Sequence, residues 1–263
     1  MKTILRRGPA IVPMLVAGLL AGCGTAAPEP GDVGPATAAA TATASEQAQA
    51  AGPDQPAVSE CDDVELRAGR TVSGQALGDC VAAAMVAVGS GVQRVESSDG
   101  TDDVVNFRWD PDYSMSIDGG DREVVVQGET GWVRFPGQGW VQADSSSTDP
   151  AVVMATGIVD LVRVFSDPRV MAAGLATSES WTVVGDENPP VDDADTTIAY
   201  LLTPDTPMTM MGVAVSDFEL YLRSNHLPAY AVGTGSFGGF SATTSNTFTQ
   251  WGGAVEIADP TQD

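Results

Sequence analysis

From Val92 to Trp251 the chain repeatedly alternates apolar and polar residues with a period of two, and this restricts the fold more than any other feature. That period places successive side chains on opposite faces of a strand, one toward a core and one toward water. Tyr113, Met115 and Ile117 share one face, and Ser114, Ser116 and Asp118 share the other. Val105, Phe107 and Trp109 precede them in the same pattern; Val124 and Val126, Trp132 to Phe135 and Trp140 to Gln142 follow. Asp118-Gly119-Gly120-Asp121 and Pro136-Gly137-Gln138-Gly139 supply hairpin turns. A second block reads the same way, with strands at Trp181–Val184, Thr196–Thr203, Ser216–Arg223, Pro228–Thr234 and Ala242–Trp251. Both blocks predict antiparallel meanders, about ten strands in all.

Helices are expected at the start and in the middle. Leu77, Cys80, Val81, Ala84, Met85 and Val88 recur at helical spacing over Gln75–Val88, with Ser73 placed to cap the first turn. Asp149-Pro150 pairs a capping residue with a proline at the first helical position, and Asp167-Pro168 repeats the signal. Between them, Thr156, Asp160 and Arg163 form a narrow polar stripe while Val152, Val153, Met154, Ile158, Val159, Leu161, Val162 and Val164 cover the rest. A surface helix buries one face, so this one either packs between two protein surfaces or lines an apolar cavity. Strands and helices together predict a single α+β domain.

The N-terminus is an address rather than part of that domain. Lys2, Arg6 and Arg7 form a positive region, Ile11–Leu20 an apolar stretch interrupted by Pro13, and Leu20-Ala21-Gly22-Cys23 a small-residue cleavage site. The apolar stretch is shorter than the ~20 residues needed to span a bilayer. The Leu-Ala-Gly-Cys tetrad resembles the lipobox of bacterial lipoproteins, which implies a diacylglyceryl group, with its palmitate-type chains, on Cys23. Gly24–Pro56 is rich in Ala, Thr, Pro and Gly and has too little apolar surface to offset the entropy of ordering. The expected organisation is a signal peptide over residues 1–22, an acylated cysteine and tether over 23–56, and one domain over 57–263. The expected location is the extracytoplasmic face of the cell membrane, held there by the lipid anchor.

Cysteine usage fits export. With Cys23 acylated, Cys61 and Cys80 remain as an even pair, expected to form a disulfide in an oxidising compartment, the alternative being two buried thiols. In that pairing Cys61 pins an entry strand onto the first helix.

The charge balance excludes one partner class. Asp and Glu number 35 against 12 Lys and Arg, a formal charge of −23. Loss of the leader, whose charges are all basic, takes it to −26. Such a chain repels phosphate backbones, so no nucleic-acid partner is expected.

The C-terminal block carries a further resemblance. Phe218-Glu219-Leu220-Tyr221-Leu222, a tight turn, Leu227-Pro228, another strand, and the ending Thr247-Phe248-Thr249-Gln250-Trp251-Gly252-Gly253 through Ile257 and Pro260 resemble the LppX/LprG-type lipoproteins of actinobacterial cell envelopes. These are similar in fold to the LolA/LolB lipoprotein carriers. The resemblance implies a curved antiparallel half-barrel covered by helices, whose concave side holds acyl chains of a lipid or lipoglycan. On that reading the cavity is lined by Val153, Ile158, Leu161, Val162 and Phe165 of the helix and Met115, Ile117 and Val126 of the sheet.

Catalytic and metal chemistry find little support. His226, the one histidine, falls in a hairpin turn and is expected to be solvated, and no G-x-S-x-G elbow occurs. Gly233-Thr234-Gly235-Ser236-Phe237-Gly238 matches G-x-G-x-x-G but joins two strands instead of opening a helix, so no dinucleotide cofactor is expected. Asp186, Glu187, Asp192, Asp193 and Asp195 read as a solvated acidic loop without a calcium-loop spacing. Met208, Met210 and Met211 offer either an adaptable apolar wall or ordinary packing. Three functions compete: a non-catalytic lipid or glycolipid carrier, a closed-core interaction or sensor module of the envelope, and an extracytoplasmic enzyme dependent on His226.

Overall fold

The structure, a computed structural model, describes residues 58–261 except 193 and 195–198. The leader, Cys23 and the tether lie outside the described residues, as do Asp193, Asp195 and the start of the expected strand at Thr196. No described helix is long and apolar enough to cross a membrane.

The first block begins with β1 (Thr71–Ser73) and α1 (Gly74–Val88), followed by β2 (Ser90–Ser97), β3 (Asp102–Arg108), β4 (Ser114–Gly119), β5 (Glu123–Gln127), β6 (Thr130–Arg134) and β7 (Val141–Gln142). Two helices follow, α2 (Pro150–Phe165) and α3 (Pro168–Leu175). The second block comprises β8 (Ser180–Glu187), β9 (Ala199–Pro204), β10 (Met208–Met210), β11 (Val213–Leu222), β12 (Pro228–Phe237) and β13 (Phe240–Trp251). Thirteen strands exceed the expected ten: β1 and β10, three residues each, are too short to show a period, and β2 is not among the ranges expected as strands.

All pairings are antiparallel in one open sheet, ordered β1-β8-β9-β11-β12-β13-β2-β3-β4-β5-β6-β7, with β10 beside β11. The last strand, β13, runs along β2 from Thr244↔Ser97 to Trp251↔Gly91 and so joins the two meanders edge to edge. Register shifts on β8, β11 and β13 bend those strands, as bulges do. At Ser216/Glu219, where Asp217 takes a φ of 51°, the shift divides one edge of β11 between two neighbours: β10 takes its first half and β9 its last. The edge strands β1 and β7 are very short, which leaves little unpaired backbone for another chain.

The helices start where the sequence signals say. Ser73 accepts a hydrogen bond from the Ala76 N–H, Asp149 from Ala151 and Val152, and Asp167 from Arg169. α1 ends in Gly89 at a φ of 78°, the left-handed position glycine tolerates best. α1 buries Leu77, Cys80, Val81, Ala84 and Met85 against Trp181, Val183, Leu202, Leu220 and Leu222 on one sheet face. A smaller cluster of Ala199, Leu201, Tyr221, Ala229 and Tyr230, capped by Val191, closes the opposite face.

Cys61 and Cys80 are joined by a disulfide, with Cα atoms 4.5 Å apart. Cys61 sits in a single 3-10 turn, Ser59–Cys61, and not in the expected strand. The sequence there has no alternation to sustain one. The bridge fastens this N-terminal turn to the middle of α1.

The bridge encloses eighteen residues, so its reduction or a Cys61→Ala/Cys80→Ala pair is expected to cost about 3 kcal/mol. Chemical unfolding with and without reductant measures the difference. Gly131 of β6 touches α2: a Cβ there would meet Val159 Cγ1 at 2.5 Å. Gly131→Val is therefore expected to lift α2 and cost about 1–3 kcal/mol through overpacking, seen as a lowered unfolding midpoint.

Candidate functional site: an apolar helix flank over the sheet

α2 lies across β5, β6 and β7 and is held along one side by polar clamps. Arg163 Nη2 donates to the Gly128 carbonyl at 3.2 Å, and the Asp144 N–H donates to Thr156 Oγ1 at 2.9 Å. Beyond the C-terminus, Trp109 Nε1 donates to the Ser166 carbonyl at 3.1 Å, and the Tyr113 hydroxyl and Ser166 Oγ are 2.6 Å apart. Burial raises the Tyr113 phenol above its ordinary range, outweighing the hydrogen bond to Ser166, so it stays protonated at neutral pH.

Only Ala155 and Val159 of α2 are fully buried. The helix is thus not the core helix its apolar content would suit. At 100° per residue, Met154, Ile158, Leu161 and Phe165 fall in one line on the flank opposite Thr156 and Arg163. Met154 is 50% and Phe165 57% exposed, whereas Ile158 packs partly onto Val124, Val126 and Val133. The unclamped flank therefore presents large apolar side chains over a sheet face that is itself apolar.

Apart from Phe165, which is 57% exposed at the end of α2, the eight residues expected to line a cavity separate into three groups. Ile158, Leu161, Val162 and Ile117 are half-buried, and Ile158, Val162 and Ile117 share a cluster. Met115 and Val126 are sealed in the interior at 4% and 0% exposure, because α2 and the neighbouring strands cover them. Val153 requires correction: it falls with Gly157, Asp160 and Val164 on the side of α2 turned away from the sheet and is 52% exposed. The sequence could not choose a flank, since apolar residues surround nearly the whole helix. Met154 was missed for the same reason; its signal is the four-and-three spacing to Ile158, Leu161 and Phe165.

Toward the turn end of the same sheet face lies a polar pair. The register Asn246↔Val95↔Asp103↔Gly119 places Asp103 on the helix-covered face. Asp103 is 6% exposed, and Arg122 Nη2 lies 3.0 Å from its Oδ2. Gly119 makes the room, because a Cβ there would collide with the Asp103 carboxylate. Burial pushes the Asp103 carboxyl above the usual carboxylate range, and the Arg122 charge only partly pulls it back.

Two open hollows, of about 500 and 490 Å³, lie elsewhere. Val92, Arg94, Asp102, Val104 and Asp118 line the first, on the outer side of the sheet; Gln142, Asp144 and Val152 line the second. Neither separates the flank of α2 from the sheet.

Cys61, Cys80 and His226 bring potential metal-ligand atoms within 4.8 Å of one another. Both sulfurs are bound in the disulfide, so the group has one usable ligand. His226 differs from its expected solvated state. It is half-buried at a φ of 65°, and its Nε2 is the donor to the Val64 carbonyl at 2.9 Å. The imidazole thereby ties the β11–β12 turn to the segment after the disulfide. G-x-G-x-x-G runs along β12 into its hairpin and opens no helix. Met208 is core, Met210 packs against that core, and Met211 is exposed.

No protein-family model and no curated protein matches the sequence. Among solved structures, the MucA/MucB complex of Pseudomonas aeruginosa is similar at 18% identity with a TM-score of 0.33, over 70% of this chain and 58% of that one. MucB in complex with MucA(peri) is similar at 16% identity and a TM-score of 0.28, over 67% and 55%. A LolA superfamily protein, NE2245 from Nitrosomonas europaea, is similar at 11% identity and a TM-score of 0.27, over 72% and 94%. The chain spans little more than half the length of the first two.

Removal of the Arg122 charge is expected to expose what Asp103 costs. A carboxyl raised in the folded state binds its proton more tightly there, so its burden is absent below the ordinary carboxylate pKa and grows as pH rises through the raised value. Arg122→Gln should be nearly neutral at about pH 3 and destabilising by about 1–2 kcal/mol at about pH 7. Urea midpoints at the two pH values check the sign.

Proposed function

We propose that the protein is a non-catalytic, lipid-anchored envelope protein that binds acyl chains of a lipid or lipoglycan between the unclamped flank of α2 and the sheet. The observation that carries the reading is that flank: Met154, Ile158, Leu161 and Phe165 stand in line, Ile158 packing toward Val124 and Val133 while Met154 and Phe165 are half open to solvent. Exposed apolar surface of this kind, continuous with a core, marks a place where something apolar binds. The clamps at Thr156 and Arg163 lie on the other side, so α2 can rock away from the sheet about them and admit a chain. The lipobox-like tetrad at Cys23 and the C-terminal resemblance to the LppX/LprG-type lipoproteins support the same reading.

A second reading has one observation in its favour. The flank already touches the sheet and neither hollow lies between them, as expected of a closed-core interaction module. Capture of a defined envelope partner by a body that carries no lipid would select it.

Met154→Gln/Phe165→Gln is expected to weaken uptake of a fluorescent fatty acid about tenfold, a loss of about 1.4 kcal/mol. Both side chains are half exposed, so the unfolding midpoint should hardly move. Val164→Gln, on the outer side, should leave binding unchanged. Absence of co-purified lipid by mass spectrometry, together with no uptake by the unaltered protein, would sink the carrier reading.

A further inference from the structure

β12 and β13 are the two longest neighbouring strands that share a hairpin, and their tip is apolar. The chain turns through Gly238 and Gly239, both at positive φ (59° and 88°), as a two-residue hairpin requires, and this sets Phe237 opposite Phe240. They are 47% and 68% exposed. Counting in twos from Ala231, a member of the helix-side core, places Phe237 on the helix-covered face, and its partner Phe240 with it. A second tip stands beside the first. The pairing Ala214↔Ser236 brings the β10–β11 turn alongside, with Met211 52% exposed next to Gly212.

The opposite side of the hairpin is hydroxylated. Thr234 and Thr243 have their hydroxyls 2.9 Å apart, and Ser236 bonds Ser241 at 3.4 Å. Residues 206–216 and 227–255 contain no Asp, Glu, Lys or Arg, in a chain with 35 acidic residues. The adjoining β2–β3 turn carries Asp99, whose carboxylate is occupied by the N–H and hydroxyl of Thr101. One apolar side, one hydroxyl side and no charge of their own suit the two tips to the interfacial layer of a bilayer better than to a protein partner recognised by charge.

We infer that the paired tips, with Phe237, Phe240 and Met211 at their ends, dip into the surface of an uncharged lipid bilayer. The inference deepens the carrier reading, on which it rests for its purpose: an acyl chain has to leave a bilayer to reach the flank of α2. Chain length permits the contact. Cys61 lies within 4.8 Å of His226, at the end of β12 opposite the tip, so residues 23–57 join the body at the far end. Their contour length is on the order of 100 Å, against about 33 Å for the ten residues of β12. The tip can therefore reach the membrane that holds Cys23.

The test uses the full chain with Cys23→Ser, so that an environment-sensitive fluorophore reacts only at an introduced thiol. Phe240→Cys probes the tip, and Glu129→Cys, in the turn at the opposite end of the strands, is the control. With phosphatidylcholine vesicles bearing nitroxides on their acyl chains, the probe at 240 is expected to be quenched at least about twofold and the probe at 129 to be unaffected. Phe237→Ser with Met211→Ser should abolish the quenching at 240 without moving the unfolding midpoint. An unquenched probe at 240, or equal quenching at both positions, overturns the inference. No ligand is present in this measurement, so failure of fatty-acid uptake, which tests the flank of α2, is distinguishable from failure of insertion.

Discussion

Pairing of β13 with β2 is the interaction on which the rest of the structure depends. Each meander alone has a free long edge and half a core. Joined along Thr244–Trp251 and Gly91–Ser97, they form one sheet whose apolar rows run continuously from Val72 through Leu220, Ala231 and Phe107 to Val133. All three helices contribute to clusters on that side: α1 over the β8–β9–β11 region, α2 over β5–β7, and α3 through Met171 in between. Phe248 and Trp251 sit at the seam, stacked with ring centroids 4.9 Å apart, and Trp251 Nε1 donates to the Pro228 carbonyl at 2.6 Å. The C-terminal motif is thus a closure device, which accounts for its aromatic content.

The two larger helices solve the covering problem differently. α1 is buried on its sheet side, and its glycines let α3 approach closely, a Cβ at Gly78 meeting the Ala172 carbonyl at 2.5 Å. α2 approaches equally closely at one point, Val159 on Gly131, but it is wider in apolar residues than the sheet beneath it can cover. The surplus falls on two sides. On the outward side it is Val153 and Val164; on the unclamped flank it is Met154 and Phe165. The flank differs from the outward side in being continuous with the core, through Ile158 packed against Val124, Val126 and Val133.

The acid excess bears on the same question. A body this negative gains nothing from an anionic surface, so any lasting contact with a membrane comes from apolar parts or from an anchor. Long charge-free runs inside so acidic a chain then have a physical reason, since ionised side chains at the β12–β13 tip would prevent that contact.

Much of the local structure was legible in the sequence. The Ser73, Asp149 and Asp167 caps, the alternation of Tyr113, Met115 and Ile117, and the glycine turns act over a few residues, where propensity and hydrogen bonding decide conformation. The Cys61–Cys80 pair could be proposed from its count alone. What stayed hidden depends on partners far along the chain: the join of β13 to β2, the short strands β1 and β10, the half-buried His226 reaching Val64 across 162 positions, and the burial of Asp103 under Arg122. The candidate site was legible only as a helix with too much apolar surface. Which flank remains open was decided by Arg163, Thr156 and Ser166 finding acceptors and donors on other elements, contacts that exist only once the sheet is assembled and that no periodicity within α2 encodes.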